Sequence, residues 1–317
     1  MDKPPLPARR RAERCLQKCN AIARKSRLYW KRHGFEWRTF RALQRVFLAS
    51  RKAPSRSIVS IRIMSAESQH EAKKVGAVIY LATNRPLHLP DFLAEFHLSW
   101  PHLLLQKTGK EPHRALFRVG KSDFALELHH TPVPQEVTQP VVNSTLHWST
   151  AGVMLARHQA HLSVAESAEN SGVLSLACDL TKAIAALLPV MDSLAVCWLN
   201  GPALNSSESF VDTAREMFGT GLYPIKLWVA VRWDAQAGAL HTKGMAQFGA
   251  PELCLSRQPD AAPIMVDYMF HVAQSVLTSH HSISDGVTMD SPQGKVTIEK
   301  SGAPGRRILI LAPARTR

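Results

Sequence analysis

The sequence predicts an α+β fold in which a largely antiparallel mixed sheet packs against amphipathic helices. Apolar segments of strand length follow one another across short turns, as residues 115–119 and 124–129 do on either side of Gly120-Lys-Ser-Asp123. Other stretches carry apolar residues at three- and four-residue spacing, the periodicity of an amphipathic helix. Because direct strand-to-strand turns recur, a doubly wound parallel sheet is disfavoured.

The elements of the first half follow from local patterns. A continuous apolar run predicts a central strand over 75–82, and Pro90 suits the first turn of the helix that follows. Period-two alternation predicts a half-buried strand over 124–129. We expect Asn143 or Ser144 to cap a helix that places Trp148, Gly152 and Leu155 on one face, and a short strand over 161–165.

The second half of the chain also alternates between predicted helices and predicted strands. Apolar periodicity predicts a core helix over 174–188 and a buried strand over 194–199. Ser206 or Ser207 is expected to cap a helix that stops at Gly219, and alternation predicts a strand over 227–233 that turns back at 234–238. A helix from Ile264 and two strands at 295–299 and 307–311 close the chain. The order suggests two similar β-α-β-β-α halves.

The net charge of +14 is concentrated at one end of the chain. Residues 1–64 contain 18 Lys and Arg against three acids, a net of +15, whereas residues 65–317 contain 21 basic residues and 22 acids, a net of −1. We therefore divide the chain into a basic arm, 1–64, disordered or partly helical around 37–47, and an α+β domain over 65–317.

Three interpretations of the basic arm stay open. Met64 stands at the break in composition and is a candidate natural start, with the upstream stretch translated but unselected. The arm is alternatively a nucleic-acid or anionic-surface binder, because clustered Lys and Arg neutralise phosphates. Arg-rich, acid-poor composition also resembles a transit peptide.

Composition restricts the class of protein and its compartment. Apolar residues make up 45% of the chain, enough for a sizeable core, and no uninterrupted apolar run reaches the ~18 residues of a membrane span. Five scattered cysteines do not form a disulfide framework. We predict a cytoplasmic protein without a membrane partner; the sequence does not predict its oligomeric state.

Several short motifs occur in a characteristic order. They are His130-Thr-Pro-Val-Pro, Trp148, His158-Gln-Ala-His161, Ala195-Val-Cys-Trp198, Leu227-Trp228, the stretch Gly244-Met-Ala-Gln-Phe-Gly-Ala-Pro-Glu252, and Asp285-Gly-Val-Thr288. In this order they resemble the bacterial family of domain of unknown function 4261, over about residues 75–311. The resemblance implies a fold and a bacterial setting but no activity. The chain departs from the family pattern at Cys197, where an aromatic residue is expected, and at Cys254, where an acidic residue often stands.

His158 and His161 are the first candidate pair for chemistry. Residues three apart on a helix share a face and can bind one metal, with a third ligand from Asp285, Glu252, His129 or His130. The predicted helix ends near Arg157, however, and a strand begins near His161. We therefore favour a structural role, with a histidine bonding carbonyl groups at a helix end, over a metal site.

Trp198, Glu252 and Asp285 are the remaining candidates. A carboxylate at 254 would make an acid pair with Glu252, but Cys254 stands there, and we expect Glu252 to pair with an arginine or cap a turn. Asp285-Gly286 is ordinary turn chemistry. No phosphate-binding loop, dinucleotide fingerprint or nucleophile elbow occurs, so we predict no catalytic residue and no cofactor.

Three classes of function follow from these patterns. We favour a non-enzymatic binding or regulatory module with a protein or peptide partner, for which an exposed apolar patch would be the discriminating feature. The alternatives are a metal-assisted hydrolase that uses His158 and His161, and nucleic-acid binding through residues 1–64.

Overall fold

The computed structural model describes residues 73–111, 114–120, 122–168, 172–256, 263–279, 288–291, 294–301 and 308–313. The basic arm and Asp285 lie outside these ranges. Within them the chain is an α+β protein built on two sheets, as the sequence predicts.

The first sheet has seven strands, all antiparallel to their neighbours, in the order β2-β3-β4-β5-β1-β6-β7. Its strands are β1 (Lys73–Leu81), β2 (Leu105–Glu111), β3 (Arg114–Val119), β4 (Ser122–His129), β5 (Ala160–Ala168), β6 (Ser193–Trp198) and β7 (Ala203–Ser206). We call it sheet one. The predicted hairpin is β3 and β4, and Gly120 makes its turn with a φ of 58°.

The second sheet has six strands in the order β11-β12-β13-β10-β9-β8. Its strands are β8 (Ala230–Asp234), β9 (Ala239–Lys243), β10 (Glu252–Ser256), β11 (Thr288–Ser291), β12 (Gly294–Ser301) and β13 (Ile308–Pro313). We call it sheet two. Strands β10 and β13 are parallel, and the other neighbours are antiparallel.

Among the described residues the α-helices are α1 (Leu89–Ser99), α2 (Gln135–Asn143), α3 (Ala151–Leu155), α4 (Val173–Leu187), α5 (Ser207–Thr220), α6 (Ile225–Trp228) and α7 (Pro263–Ser279). Both halves contain the order β-α-β-β-β-α, one strand more than predicted: β1-α1-β2-β3-β4-α2, and β7-α5-β8-β9-β10-α7 with the single turn α6 inserted. The halves then diverge, because β5 joins β4 antiparallel whereas β13 joins β10 parallel.

Helix α4 occupies the centre of the core. Leu176, Leu180, Ile184 and Leu187 are buried, which confirms the predicted core helix, and the helix packs on β1, β5, α1 and α5. Buried residues of both sheets join one hydrophobic cluster, from Val75 of sheet one to Ile298 of sheet two. In the described ranges, residues Val173–Val190 are long and apolar enough to cross a membrane, but this segment is α4 and the turn after it, and 56% of it is buried within the fold.

Several predicted elements are wrong. Asn143 ends α2 instead of capping the next helix, Ser144 is the C-cap residue, and α3 starts only after Thr150. Trp148 therefore does not share a helical face with Gly152 and Leu155. The predicted strand over 227–233 is α6 followed by β8, and α5 runs past Gly219 to a left-handed C-cap at residue 221.

A smaller hydrophobic cluster lies on the opposite face of sheet one. It contains Tyr80, Ala195, Cys197 and Leu204 from the sheet and Val133, Ala151 and Leu155 from the connection between β4 and β5. We call this connection, residues 130–159, the helical cover. It contains α2 and α3, and it gives sheet one a second packed face.

Candidate functional site

The histidines predicted as candidates meet where the helical cover joins sheet one. Strand register places Tyr80 of β1 opposite His161 of β5, and His161 opposite His129 of β4. The rings of His129 and His161 stack with centroids 4.4 Å apart and planes at 11°. The Nε2 atom of His129 lies 3.1 Å from the Ser163 hydroxyl.

His158 uses both ring nitrogens within the fold. Its Nε2 accepts the backbone N–H of Val133 at 2.8 Å, and its Nδ1 bonds the carbonyl oxygen of Leu155 at the end of α3. The ring packs edge-on against Tyr80 with centroids 5.1 Å apart. Because both nitrogens are occupied, the ring has no free lone pair for a metal ion.

His161 is partly buried beside this contact. Its Nδ1 donates to the carbonyl oxygen of Thr131 at 2.8 Å. Burial lowers the pKa of His161 from 6.5; the bond to Thr131 opposes this shift, and nearby His129 and His158 add to it. The ring is therefore poorly suited to carry a charge.

The described ranges contain no group of three His, Cys, Asp or Glu side chains placed to hold a metal ion. Of the proposed third ligands, His130 bonds the Asn84 amide, and His129 is stacked on His161 and bonded to Ser163. The geometry therefore gives the metal-assisted hydrolase no ligand set among these residues.

Glu252 holds the turn between β9 and β10. Its carboxylate accepts hydrogen bonds from the Thr242 hydroxyl at 2.7 Å and from the backbone N–H groups of Gly244 and Ala246 at 2.9 and 3.1 Å. Thr242 in turn accepts the N–H of Leu253. This is the turn-capping role weighed above against an acid pair.

Cys254 lies two residues further along β10, opposite His241 of β9. Burial raises the pKa of the Cys254 thiol, and the nearby Asp234 carboxylate raises it further. The carboxylate that opposes thiolate formation here is Asp234. The thiol is not activated as a nucleophile.

Trp198 is fully buried at the junction between the two sheets. Its indole N–H donates to Gln247 at 3.0 Å, and the Gln247 amide donates to the carbonyl oxygens of Trp228 and Gly244. The rings of Trp198 and Trp228 lie 6.1 Å apart. Three of the motifs that carry the family resemblance, those at 195–198, 227–228 and 244–252, therefore build one structural junction.

Sequence reasoning did not find the surface of the helical cover. Glu136 and Arg157 are the only Asp, Glu, Lys or Arg among its 30 residues (130 to 159), whereas the 20% charged fraction of the whole chain would give six. More than half of these residues are exposed. Val137, Leu146 and Val153 are 56%, 40% and 63% exposed. The scarcity of charged residues in 130–159 is visible in the sequence, but only the fold shows that these residues form a surface layer.

Comparisons with known proteins leave the family question open. A scan against family models, a search of curated proteins and a search of solved structures each find no match for this chain. The resemblance to the unknown-function family stays a prediction from the motifs.

Proposed function

We propose that this protein is a non-enzymatic binding module that docks a protein or peptide partner on the helical cover. The observation that carries the proposal is a surface layer of 30 residues with two charged side chains and three exposed large apolar ones. Such surfaces are typical of the centre of a protein–protein interface, where charged residues are depleted.

The helical cover is also rigidly backed. Its inner side chains, Val133, Ala151 and Leu155, are buried against Tyr80 and Cys197 of sheet one. The outward apolar side chains are therefore presented on a preorganised layer, so binding does not first have to order it. Val137 of α2, at 56% exposed, is one such outward side chain, which suits an apolar side chain of a partner.

The chemistry of this surface defines the partner. With so few charges, complementarity comes from apolar anchors on the partner and not from ion pairs. We therefore expect affinity that changes little with ionic strength, because screening acts on charged contacts.

The test is a comparison of two variants of the full chain as bait in a native extract. Val137→Asp with Val153→Asp places charges on the helical cover, and Leu98→Asp with Leu104→Asp places the same charges on similarly exposed leucines in the last turn of α1 and just before β2. A specific partner should be lost by the first variant, kept by the second and retained in high salt. Equal retention by both variants, or release by salt, would contradict the proposal.

A second candidate function is nucleic-acid binding through residues 1–64, which the concentration of +15 in that segment favours. This binding would fall steeply with salt, and it would disappear on truncation at Met64. The two functions are thus separable, since one depends on the arm and on low salt and the other on neither.

A further inference from the structure

Arg232, on β8, is a half-buried cation without an ion-pair partner. Its Nε atom is buried and has no hydrogen-bond partner in the part of the chain that the structure describes. The ion pairs that arginines form among those residues use Arg85, Arg118 and Arg215, and none uses Arg232. Because removal of a charge from water costs free energy unless a partner offsets it, an unpaired guanidinium in this position requires an explanation.

Arg232 lies where the two sheets meet, on the face that points away from the main core. The N–H of Ala230, where β8 begins, donates to the carbonyl oxygen of Gly201, just before β7. The neighbouring Val231 points into the core that both sheets share, so Arg232 points to the opposite face. The thiol of Cys197, in the cluster beneath the helical cover, is close enough to influence the pKa of Arg232. The guanidinium therefore lies beside that cluster.

The groups around Arg232 supply little negative charge. Burial lowers the pKa of Arg232, and the nearby thiol of Cys197 opposes this shift. That thiol is itself neutral, because burial raises its pKa to about 12. Asp234, two residues along β8, uses its Oδ1 atom to accept the backbone N–H groups of Gln236 and Ala237 at 2.9 and 3.0 Å. The charge of Arg232 is therefore not neutralised by the described residues.

Strand register adds a second nitrogen-bearing side chain to this position. His241 of β9 lies directly opposite Arg232, and Cys254 of β10 lies opposite His241. Residues opposite each other on neighbouring strands share a face of the sheet, with Cβ atoms about 5 Å apart. All three side chains are partly exposed. Arg232 and His241 therefore present nitrogen atoms on the same accessible face of sheet two.

We propose that Arg232 and His241 form a binding site for a carboxylate. The terminal N–H groups of a guanidinium lie in one plane and match the two oxygens of a carboxylate in a bidentate pair. A single unpaired guanidinium suits a monoanion, whereas the greater charge of phosphate would be opposed by Asp234 on the same face. The site goes beyond the docking function and does not depend on it, because it uses sheet two and not the helical cover.

The free-energy cost of the unpaired charge separates this role from a structural one. An apolar side chain of similar length avoids that cost, so we expect Arg232→Met to unfold at the same temperature as the unmodified chain or above it. Arg118 is the matched control, because its Nε and Nη2 atoms each donate to Asp123 at 2.8 Å. Arg118→Met removes a paired arginine and should not raise the unfolding temperature.

The binding experiment follows the Nε–Hε signals of the full chain, labelled with nitrogen-15 arginine, with no partner present. Sodium acetate replaces sodium chloride at constant ionic strength. The Arg232 signal, assigned by its loss in Arg232→Lys, should shift with half-saturation on the order of 10 mM, the affinity that one charge-assisted bidentate pair supplies. The signal of Arg118, which is already paired with Asp123, should not shift.

Thermal unfolding tests the same site in variants. In about 100 mM acetate the unfolding midpoint of the unmodified chain should exceed its value in chloride by about 3 °C, because ligand binding stabilises the folded chain. Arg232→Gln should lose this difference and Arg118→Gln should keep it. N-acetylglycine, which ends like a peptide chain, identifies the source of the carboxylate. Binding tenfold tighter than that of acetate assigns it to a peptide terminus, and equal binding assigns it to a small free anion.

An Arg232 signal that responds equally to chloride and acetate, tighter binding of phosphate than of acetate, or an acetate effect that persists in Arg232→Gln would each overturn the proposal. A large loss of stability in Arg232→Met would also do so, because it would give the arginine a structural role. If Arg232→Gln does not fold, the titration of the unmodified chain still decides whether acetate binds at Arg232. Because no partner is present, failure of this site is distinguishable from failure of the docking surface.

Discussion

A half-buried carboxylate that accepts three hydrogen bonds stabilises the turn that donates them, and Glu252 is such a group. The same reasoning applies to Trp198, whose indole N–H is bonded to Gln247, and to His158, whose two nitrogens are both bonded. Polar side chains placed at the ends of elements complete the backbone bonding that those elements leave unfinished. Substitution of such a residue is therefore expected to lower the free energy of unfolding.

We predict that Glu252→Ala lowers the free energy of unfolding by about 2–3 kcal/mol, because it leaves the N–H groups of Gly244 and Ala246 without their acceptor. Urea denaturation of the full chain measures this change. Glu127→Ala, an exposed carboxylate on β4, is the control and should change stability by less than about 0.5 kcal/mol. Equal stabilities of the two variants would show that Glu252 has no structural role.

Gly201 is a position where adding a single Cβ atom should change the stability of the fold. A Cβ atom there would lie 2.0 Å from the carbonyl oxygen of Trp228 and 3.0 Å from that of Lys243, both of them backbone atoms that cannot move aside easily. We expect Gly201→Ala to lower the free energy of unfolding by at least about 3 kcal/mol. Gly219→Ala, in open space within α5, should instead raise it by about 0.5–1 kcal/mol. A loss for both variants in the same urea titration would contradict the close approach at residue 201.

Among the helices and strands, the local sequence predicts those in which the apolar periodicity is strong. Helix α4 and the β3–β4 hairpin were both predicted, because apolar spacing and turn residues agree there. Strand β2 was missed because Leu-Gln-Lys-Thr-Gly-Lys-Glu has no apolar alternation; it is an edge strand with lysines and a bulge, features that discourage pairing with other chains. Helix α2 was missed because Pro140 lies inside it.

The candidate functional site, too, could be predicted only in part from the local sequence. The structural role of His158 follows from its place after a predicted helix, which the sequence contains. The stack of His129 on His161 depends on the register between β4 and β5, and the single turn α6 depends on burial of both Leu227 and Trp228. Neither relation is local, so periodicity could not predict it.

For the best-predicted element, α4, we predict that Leu180→Ala lowers the free energy of unfolding by about 2–5 kcal/mol. The side chain is fully buried between the sheets and their helices, so truncation removes apolar burial and leaves a cavity. Leu98→Ala, at a side chain that is 79% exposed, is the control and should change little. A small effect at both positions in thermal or urea unfolding would mean that the core tolerates the cavity.

At the scale of the whole molecule two features matter. The two sheets share one hydrophobic core, and the excess positive charge is confined to residues 1–64. One buried cluster joins residues from both sheets, so we expect the two sheets to unfold together. The cover is the exception, because its own cluster lies on the other face of sheet one and is small. Local opening of a layer with few buried contacts costs less than global unfolding, so we expect the cover to open before the two sheets unfold.

The basic arm and the remainder of the chain differ sharply in net charge. Residues 1–64 carry +15 and residues 65–317 carry −1, so the remainder of the chain has no acidic surplus to hold the arm by charge, and repulsion among its 18 cations opposes compaction. We therefore expect a chain of residues 64–317 to unfold within about 2 °C of the full chain, a difference of less than about 1 kcal/mol for a domain of this size. Binding of the partner to the helical cover should survive the truncation, and any salt-sensitive binding of nucleic acid should be lost with it. An insoluble or strongly destabilised fragment would mean that the arm is part of the folded domain, and that the uneven charge has a structural cause.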